Sequence, residues 1–417
     1  MSETFEKYES NVRSYCRSFP TVFQTARGCL LTDDKGRTFI DFFSGAGGVN
    51  YGHNHPYIKQ KVIEYLQGDG IIQALDMFTP AKEAFIEYFQ TKILQPRGFT
   101  YKIQFAGPTG TNAVEAAIKL ARKVTGRQTV FALMGAFHGM TMGALALTTD
   151  AASRGGAGVP LNHVVHLPAP YMFPELDTLA YAERLITDDH SGTEKPAAII
   201  LEAVQADGGI YPFPAEYLQG LRALCDRHGI LLIMDDIQAG CGRSGDFFSF
   251  EKAGVIPDMV TVSKSIGGIG MPMALLLMKP ELDQWAPGEH TGTFRGNQLS
   301  MVAAKAALEV FVNEKIDAQV AEKQAIVADF MEKEIRPIHK DIAVRGVGLI
   351  WGVDLSAIGD GALAAKVMHT CFENGLVLER VGRDNTVMKL MPPLTIEKEN
   401  LLKGLAILRD VLKSVLA

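Results

Sequence analysis

An apolar run ending in two adjacent acids most narrows what this chain can become. Residues 229–245 read GILLIMDDIQAGCGRSG, and a lone lysine, Lys264, follows 29 residues after Asp235 in DMVTVSKSIGG. Ile230 to Met234 is apolar at every position, so it reads as a strand buried on both faces, as the interior of a parallel sheet requires. Asp235 and Asp236 then emerge at the strand's carboxyl end, where open α/β sheets bind ligands. A second run, Met259 to Val262, delivers Lys264 between Ser263 and Ser265, and Gly267 and Gly268 let backbone approach a ligand.

A lysine at an inner strand end is expensive unless chemistry uses it. Pyridoxal 5′-phosphate (PLP) needs this pair: an amine for its aldehyde and a carboxylate that keeps its pyridine nitrogen protonated as an electron sink. A phosphate needs backbone N–H groups at a helix start. GPTGTNAVEAAIKLAR supplies them, with Gly107 to Gly110 as a tight loop and the phosphate expected on Gly110 and Thr111. The glycines of SGAGGVNYGHNHP do not form GxGxxG between a strand and a helix, which excludes a dinucleotide fingerprint. His53 and His55 lack a third ligand, so no metal is expected.

The rest of the chain fits one enzyme unit. Strand candidates at 102–106, 129–133, 163–167, 197–202, 230–234, 259–262 and 274–278 alternate with helix candidates at 57–67, 111–125 and 216–228, which predicts an α/β fold with a mostly parallel central sheet sandwiched by helices. Residues 29–43 read as a hairpin with a DDKG turn. After about 320 the pattern changes to a helix at 320–334, short strands at 342–355, 375–378 and 387–391, and helices at 362–372 and 396–416, a smaller α+β domain. The expected division is 1–56 joining the small domain, 57–318 as the large cofactor-binding domain and 319–417 as the small domain. A net charge of −6 argues against nucleic acid or an anionic membrane as the main partner. Five scattered cysteines without CxxC spacing, an acidic amino terminus and no apolar run of about 18 residues point to a cytoplasmic protein.

The order and spacing of Asp235 and Lys264, with DDIQAGCGRSG, resemble fold type I PLP enzymes and within them the class III (omega-type) aminotransferases. The resemblance implies that Asp235 pairs with the ring nitrogen, Gln238 bonds the ring 3-hydroxyl and Phe137, in FHG with His138, stacks on the pyridine face. It implies too that Thr293, in HTGTFRGN, reaches the phosphate of a neighbouring subunit, making the protein a homodimer or higher homo-oligomer with shared sites. Asn112 is a small departure from the glutamate usual after the phosphate loop. EAVQADGG matches the family at Glu202 and Gln205, but Asp207 stands where the family has a gating glutamate. Lys389, before the C-terminal PPLT, stands where an arginine is usual.

NVRSYCRSFP, DFFSGAGGVNYGHNHP, ALDM, GPTGTNAVEAA, HTGTFRGN and the lysine before PLT together resemble the diaminobutyrate:2-oxoglutarate branch, which serves ectoine, siderophore or peptide synthesis. Such a substrate turns a zwitterion toward the cleft mouth, where Asp207, Lys389, Arg13 and Arg17 are the expected contacts. Transaminases of 4-aminobutyrate, ornithine or acetylornithine, and a PLP aminomutase on the same scaffold, remain open at this point.

Overall fold

The computed structural model describes residues 3–417. Three antiparallel strands open it: β1 (Phe23–Arg27), β2 (Leu30–Asp33) and β3 (Thr38–Asp41). The β2–β3 turn is the one expected at DDKG. Asp33 Oδ1 accepts the amides of Lys35 at 3.0 Å and Arg37 at 2.8 Å, and Gly36 takes φ 77°.

The central sheet has seven strands in the order β4-β12-β11-β10-β7-β5-β6. They are β4 (Lys102–Phe105), β5 (Val130–Leu133), β6 (Val164–Leu167), β7 (Ala198–Leu201), β10 (Leu231–Asp235), β11 (Met259–Val262) and β12 (Leu275–Met278), each within about a residue of its apolar run. Between β7 and β10 a short ribbon, β8 (Val204–Gln205) and β9 (Tyr211–Pro212), carries Asp207 in its turn. All pairings in the large sheet are parallel except those of β12, which runs antiparallel to both β11 and β4. A dozen residues without a crossover helix join β11 to β12, and the chain makes an antiparallel return. Leu232, Ile233 and Met234 are at most 1% exposed, as a strand covered by helices on both faces must be. One cover is the helix Gly110–Thr125, whose small buried residues Ala113, Ala116, Ala117 and Ala121 let it lie close over β11 and β12.

The carboxyl-terminal part holds a sheet of order β13-β14-β17-β16, from β13 (Ala343–Val347), β14 (Ile350–Asp354), β16 (Glu379–Val381) and β17 (Val387–Leu390). The sequence reading needs two corrections here. The segment 342–355 is a hairpin turning at Gly348, where φ is 55° and a Cβ would stand 2.3 Å from the Arg243 carbonyl. The strand expected at 375–378 shrinks to β15 (Leu376–Val377) and leaves this sheet to pair in parallel with β3, Leu376 opposite Ile40. Phe39 stacked on Phe372 at 4.9 Å explains the choice, because it buries the N-terminal strands against the helix Gly361–Glu373. The helix expected at 320–334 runs Ile316–Phe330 and continues as a π turn, Met331–Ile335. Arg243, fully buried, bonds the Leu349 carbonyl at 2.9 Å and Asn50 Oδ1 at 2.7 Å, fastening the N-terminal segment and the β13–β14 hairpin to the loop after β10.

Candidate active site

Asp235 and Lys264 leave the carboxyl ends of neighbouring parallel strands, in a register that sets Asp235 opposite Thr261. Lys264 adopts φ 52°, a left-handed backbone that costs about 1–2 kcal/mol in a non-glycine residue and is held here by packing on both sides. Gly268 lies so near the helix Gln298–Asn313 that a Cβ would stand 2.7 Å from the Ala303 carbonyl. The Lys264 amine makes no hydrogen bond or ion pair among the described residues. Burial lowers its pKa, partly offset by the charge of Asp207, while Lys389 nearby lowers it further. The result is an amine that gives up its proton more readily than a surface lysine.

The two acids diverge. Asp235 Oδ2 lies 2.7 Å from His138 Nδ1, and Asp235 Oδ1 accepts the Ile237 amide at 3.2 Å. Burial disfavours a charged His138, but the hydrogen bond and charge of Asp235 outweigh it and raise its pKa. The pair is therefore a short, buried contact that favours the charged form of the histidine. Asp236 turns away, accepting the amide and hydroxyl of Ser249, and burial pushes its pKa up to about 7.

Behind the phosphate loop, Asn112 Oδ1 accepts from Thr109 Oγ1 at 2.8 Å and from the Thr109 amide at 3.3 Å, so the residue that departs from the family pattern closes the loop. Thr111 Oγ1 lies 2.6 Å from Thr141 Oγ1, which donates to Glu115 Oε1 at 2.6 Å. A Cβ on Gly139 would fall 2.5 Å from Thr111 Oγ1, and one on Gly110 would fall 2.9 Å from Ile237 Cδ1. Glu202 Oε1 accepts the Phe137 amide at 3.1 Å, and burial raises the Glu202 pKa to about 7. Gln205 bonds Tyr171 at 2.8 Å and the Met134 carbonyl at 3.1 Å, which makes it a brace for the surrounding loops.

A charged knot lies beyond the lysine. Lys389 Nζ stands 2.8 Å from Asp207 Oδ1, 2.8 Å from Glu379 Oε2 and 3.0 Å from Gln238 Oε1. Burial works against its charge, but the two carboxylates raise its pKa; in return Lys389 outweighs burial at Asp207 and lowers that pKa. Glu379 escaped the sequence reading, although Glu379 and Lys389 face each other in the β16–β17 hairpin and GRDN between the strands is its turn. Tyr15, also missed, donates to Glu379 Oε1 at 3.1 Å. Of Arg13 and Arg17, expected as substrate contacts, Arg13 pairs with Glu6 at 2.8 Å, and Arg17 bonds the carbonyls of Arg13 and Asn11. The short helix Tyr15–Ser18 leaves Tyr15 half-exposed with its hydroxyl on Glu379, while both arginines bind their own segment.

Tyr15, Phe137, Asp207, Glu379 and Arg383 line a cleft of about 740 Å³. Thr293 stands apart, in the turn Thr293–Gly296, with its carbonyl bound by Gln73 Nε2 at 2.5 Å. The exposed apolar side chains Ile71, Leu75, Met77, Phe78 and Phe294 belong to the same two loops. A partner-free amine, a buried carboxylate held by a histidine, and a glycine-walled helix start are the donor set that PLP demands, so the residues present fit the cofactor.

The aminotransferase class III family model matches residues 13–412. Over 416 residues the chain is 50% identical to a diaminobutyrate--2-oxoglutarate transaminase of Nocardia farcinica, covering 99% of this chain and 94% of the relative. A protein of the same name from Halalkalibacterium halodurans is 49% identical, covering 100% and 98%. Among solved structures, an aminotransferase of Bacillus anthracis superposes with a TM-score of 0.88 at 25% identity, covering 99% of this chain and 97% of that one. From residue 13 to residue 412 the chain belongs to the class III aminotransferases.

Proposed function

We propose that this enzyme moves an amino group between C4 of L-2,4-diaminobutyrate and 2-oxoglutarate, giving L-aspartate 4-semialdehyde and L-glutamate. The observation that carries the chemistry is the Lys264 amine, half-buried, short of a partner and 29 residues past an Asp235 that His138 Nδ1 meets at 2.7 Å. The near full-length identity to transaminases of that name supports the substrate.

When bound, PLP supplies an aldehyde that accepts the amino group and a protonated ring that withdraws electrons. Gly110 and Thr111 would hold its phosphate, Phe137 its ring face, Gln238 its hydroxyl and Asp235 its ring nitrogen. Lys264 would then carry a proton to and from the substrate carbon. Its lowered pKa makes the amine a readier proton acceptor in that role than an exposed lysine would be, because less of it is held in the charged form. His138 holds Asp235 in place, and the protein wall around both excludes water that would weaken the pair.

We assign the enzyme to the cytoplasm, as a homodimer in which Thr293 meets the partner's cofactor, with its product used in ectoine, siderophore or peptide synthesis. The exposed apolar side chains around Thr293 support the pairing. The test is a panel of purified holoenzyme with diaminobutyrate, ornithine, 4-aminobutyrate and N-acetylornithine. A tenfold preference in kcat/KM for any of the last three, about 1.4 kcal/mol, overturns the substrate assignment.

A further inference from the structure

The small domain presents Glu379 and Arg383 to the same cleft, facing Asp207 from the large domain. Asp207, Lys389 and Glu379 sum to one positive and two negative charges, so the knot carries a net charge of −1. Tyr15 Oη at 3.1 Å holds Glu379 Oε1. A net negative end on a cleft wall suits an ammonium and repels a carboxylate.

Arg383 is the complement. It is exposed, bonds Met172 Sδ at 2.8 Å, lies over the Tyr171 ring at 5.9 Å, and makes no ion pair among the described residues. Its guanidinium fork is the shape that takes a carboxylate through two parallel hydrogen bonds.

We propose that Glu379 and Arg383 read the two charges on the α-carbon of the amino donor, Glu379 taking the α-ammonium and Arg383 the α-carboxylate, while the distal amine reaches Lys264. The inference rests on the diaminobutyrate reading above. Two simpler amines separate the halves: 4-aminobutyrate lacks the α-ammonium, and 1,3-diaminopropane lacks the carboxylate. Glutamate reacts through its α-carbon and turns only a carboxylate toward the far end, so Glu379 gives that half-reaction nothing.

The experiment measures single half-reactions of holoenzyme for the wild type, Glu379→Gln, Arg383→Gln and Tyr15→Phe, with melting temperatures recorded for each. Glu379→Gln is expected to lose about tenfold or more in kcat/KM for diaminobutyrate, keep its rate with 4-aminobutyrate and leave the glutamate half-reaction intact or faster. Arg383→Gln is expected to lose a similar factor with diaminobutyrate and 4-aminobutyrate but not with 1,3-diaminopropane. Should Glu379→Gln fail to fold, Tyr15→Phe, which frees Glu379 without unpairing Lys389, is read on the same diaminobutyrate to 4-aminobutyrate ratio. A wild type that turns over another amine but not diaminobutyrate refutes the substrate reading and this inference with it. With diaminobutyrate turned over, equal losses by Glu379→Gln on all donors including glutamate, or no discrimination by Arg383→Gln, overturn the assignment of these two residues alone.

Discussion

Lys389 Nζ lies 2.8 Å from Asp207 Oδ1 across 182 residues of chain, in contact although one belongs to the β8–β9 ribbon and the other to β17. Both depart from the family pattern, and they depart in a matched way. A shorter acid meets a compact ammonium, and the space a guanidinium fork would need is taken by Glu379 and Gln238.

Because Lys389 is 1% exposed and serves two carboxylates, Lys389→Met should cost about 3 kcal/mol or more in unfolding free energy by leaving both acids without their cation. Urea denaturation against the wild type measures it. A variant of wild-type stability contradicts the buried pairing.

Lys264→Ala should remove the visible absorbance of lysine-bound cofactor and lower turnover by more than the ~10²–10⁴ of a lone general base, because the amine also anchors the cofactor. Spectra and rates of the purified variant decide it. Normal absorbance with activity ends the assignment of Lys264.

Asp235→Asn should bind cofactor yet react orders of magnitude more slowly, since the neutral amide no longer holds the ring proton. Asp236→Asn should leave the rate within a few-fold of wild type. The reverse ranking places the essential acid one residue later.

Asp236 also titrates with stability. Its folded pKa of about 7 stands above the unfolded value of 3.8, so the folded state binds the proton more tightly and loses stability as pH rises between those values. Asp236→Asn, which does not ionise, should be the more stable protein at pH 8, with the difference shrinking toward pH 4. Melting temperatures across that range test the sign, and a difference that grows on acidification contradicts it.

Thr293→Ala and Lys264→Ala subunits, each inactive alone, should recover activity when exchanged into heterodimers, because one of the two sites then holds both intact groups. Mixtures that stay inactive despite proven exchange rule out a shared site.

Sequence alone placed the seven strands of the large sheet, the DDKG hairpin, Lys264, Asp235 and the glycine loop before Thr111. All of these rest on local information, a run of apolar residues or a turn signature, and short-range period survives in one dimension. It failed where a partner comes from elsewhere. β15 joins the N-terminal strands because Phe39 offers Phe372 a better burial than the small-domain sheet does, and two residues carry no period to reveal that. Tyr15 was passed over for Arg13 and Arg17 because charge is visible in a sequence, whereas the direction a short helix gives its side chains is not. The reversal of β12, the contact of Asp235 with His138, and the knot of Asp207, Glu379 and Lys389 were decided by tertiary structure. Each depends on strand register and on which distant segments share a buried, low-dielectric space, where an unpaired charge is penalised heavily enough to select its neighbours.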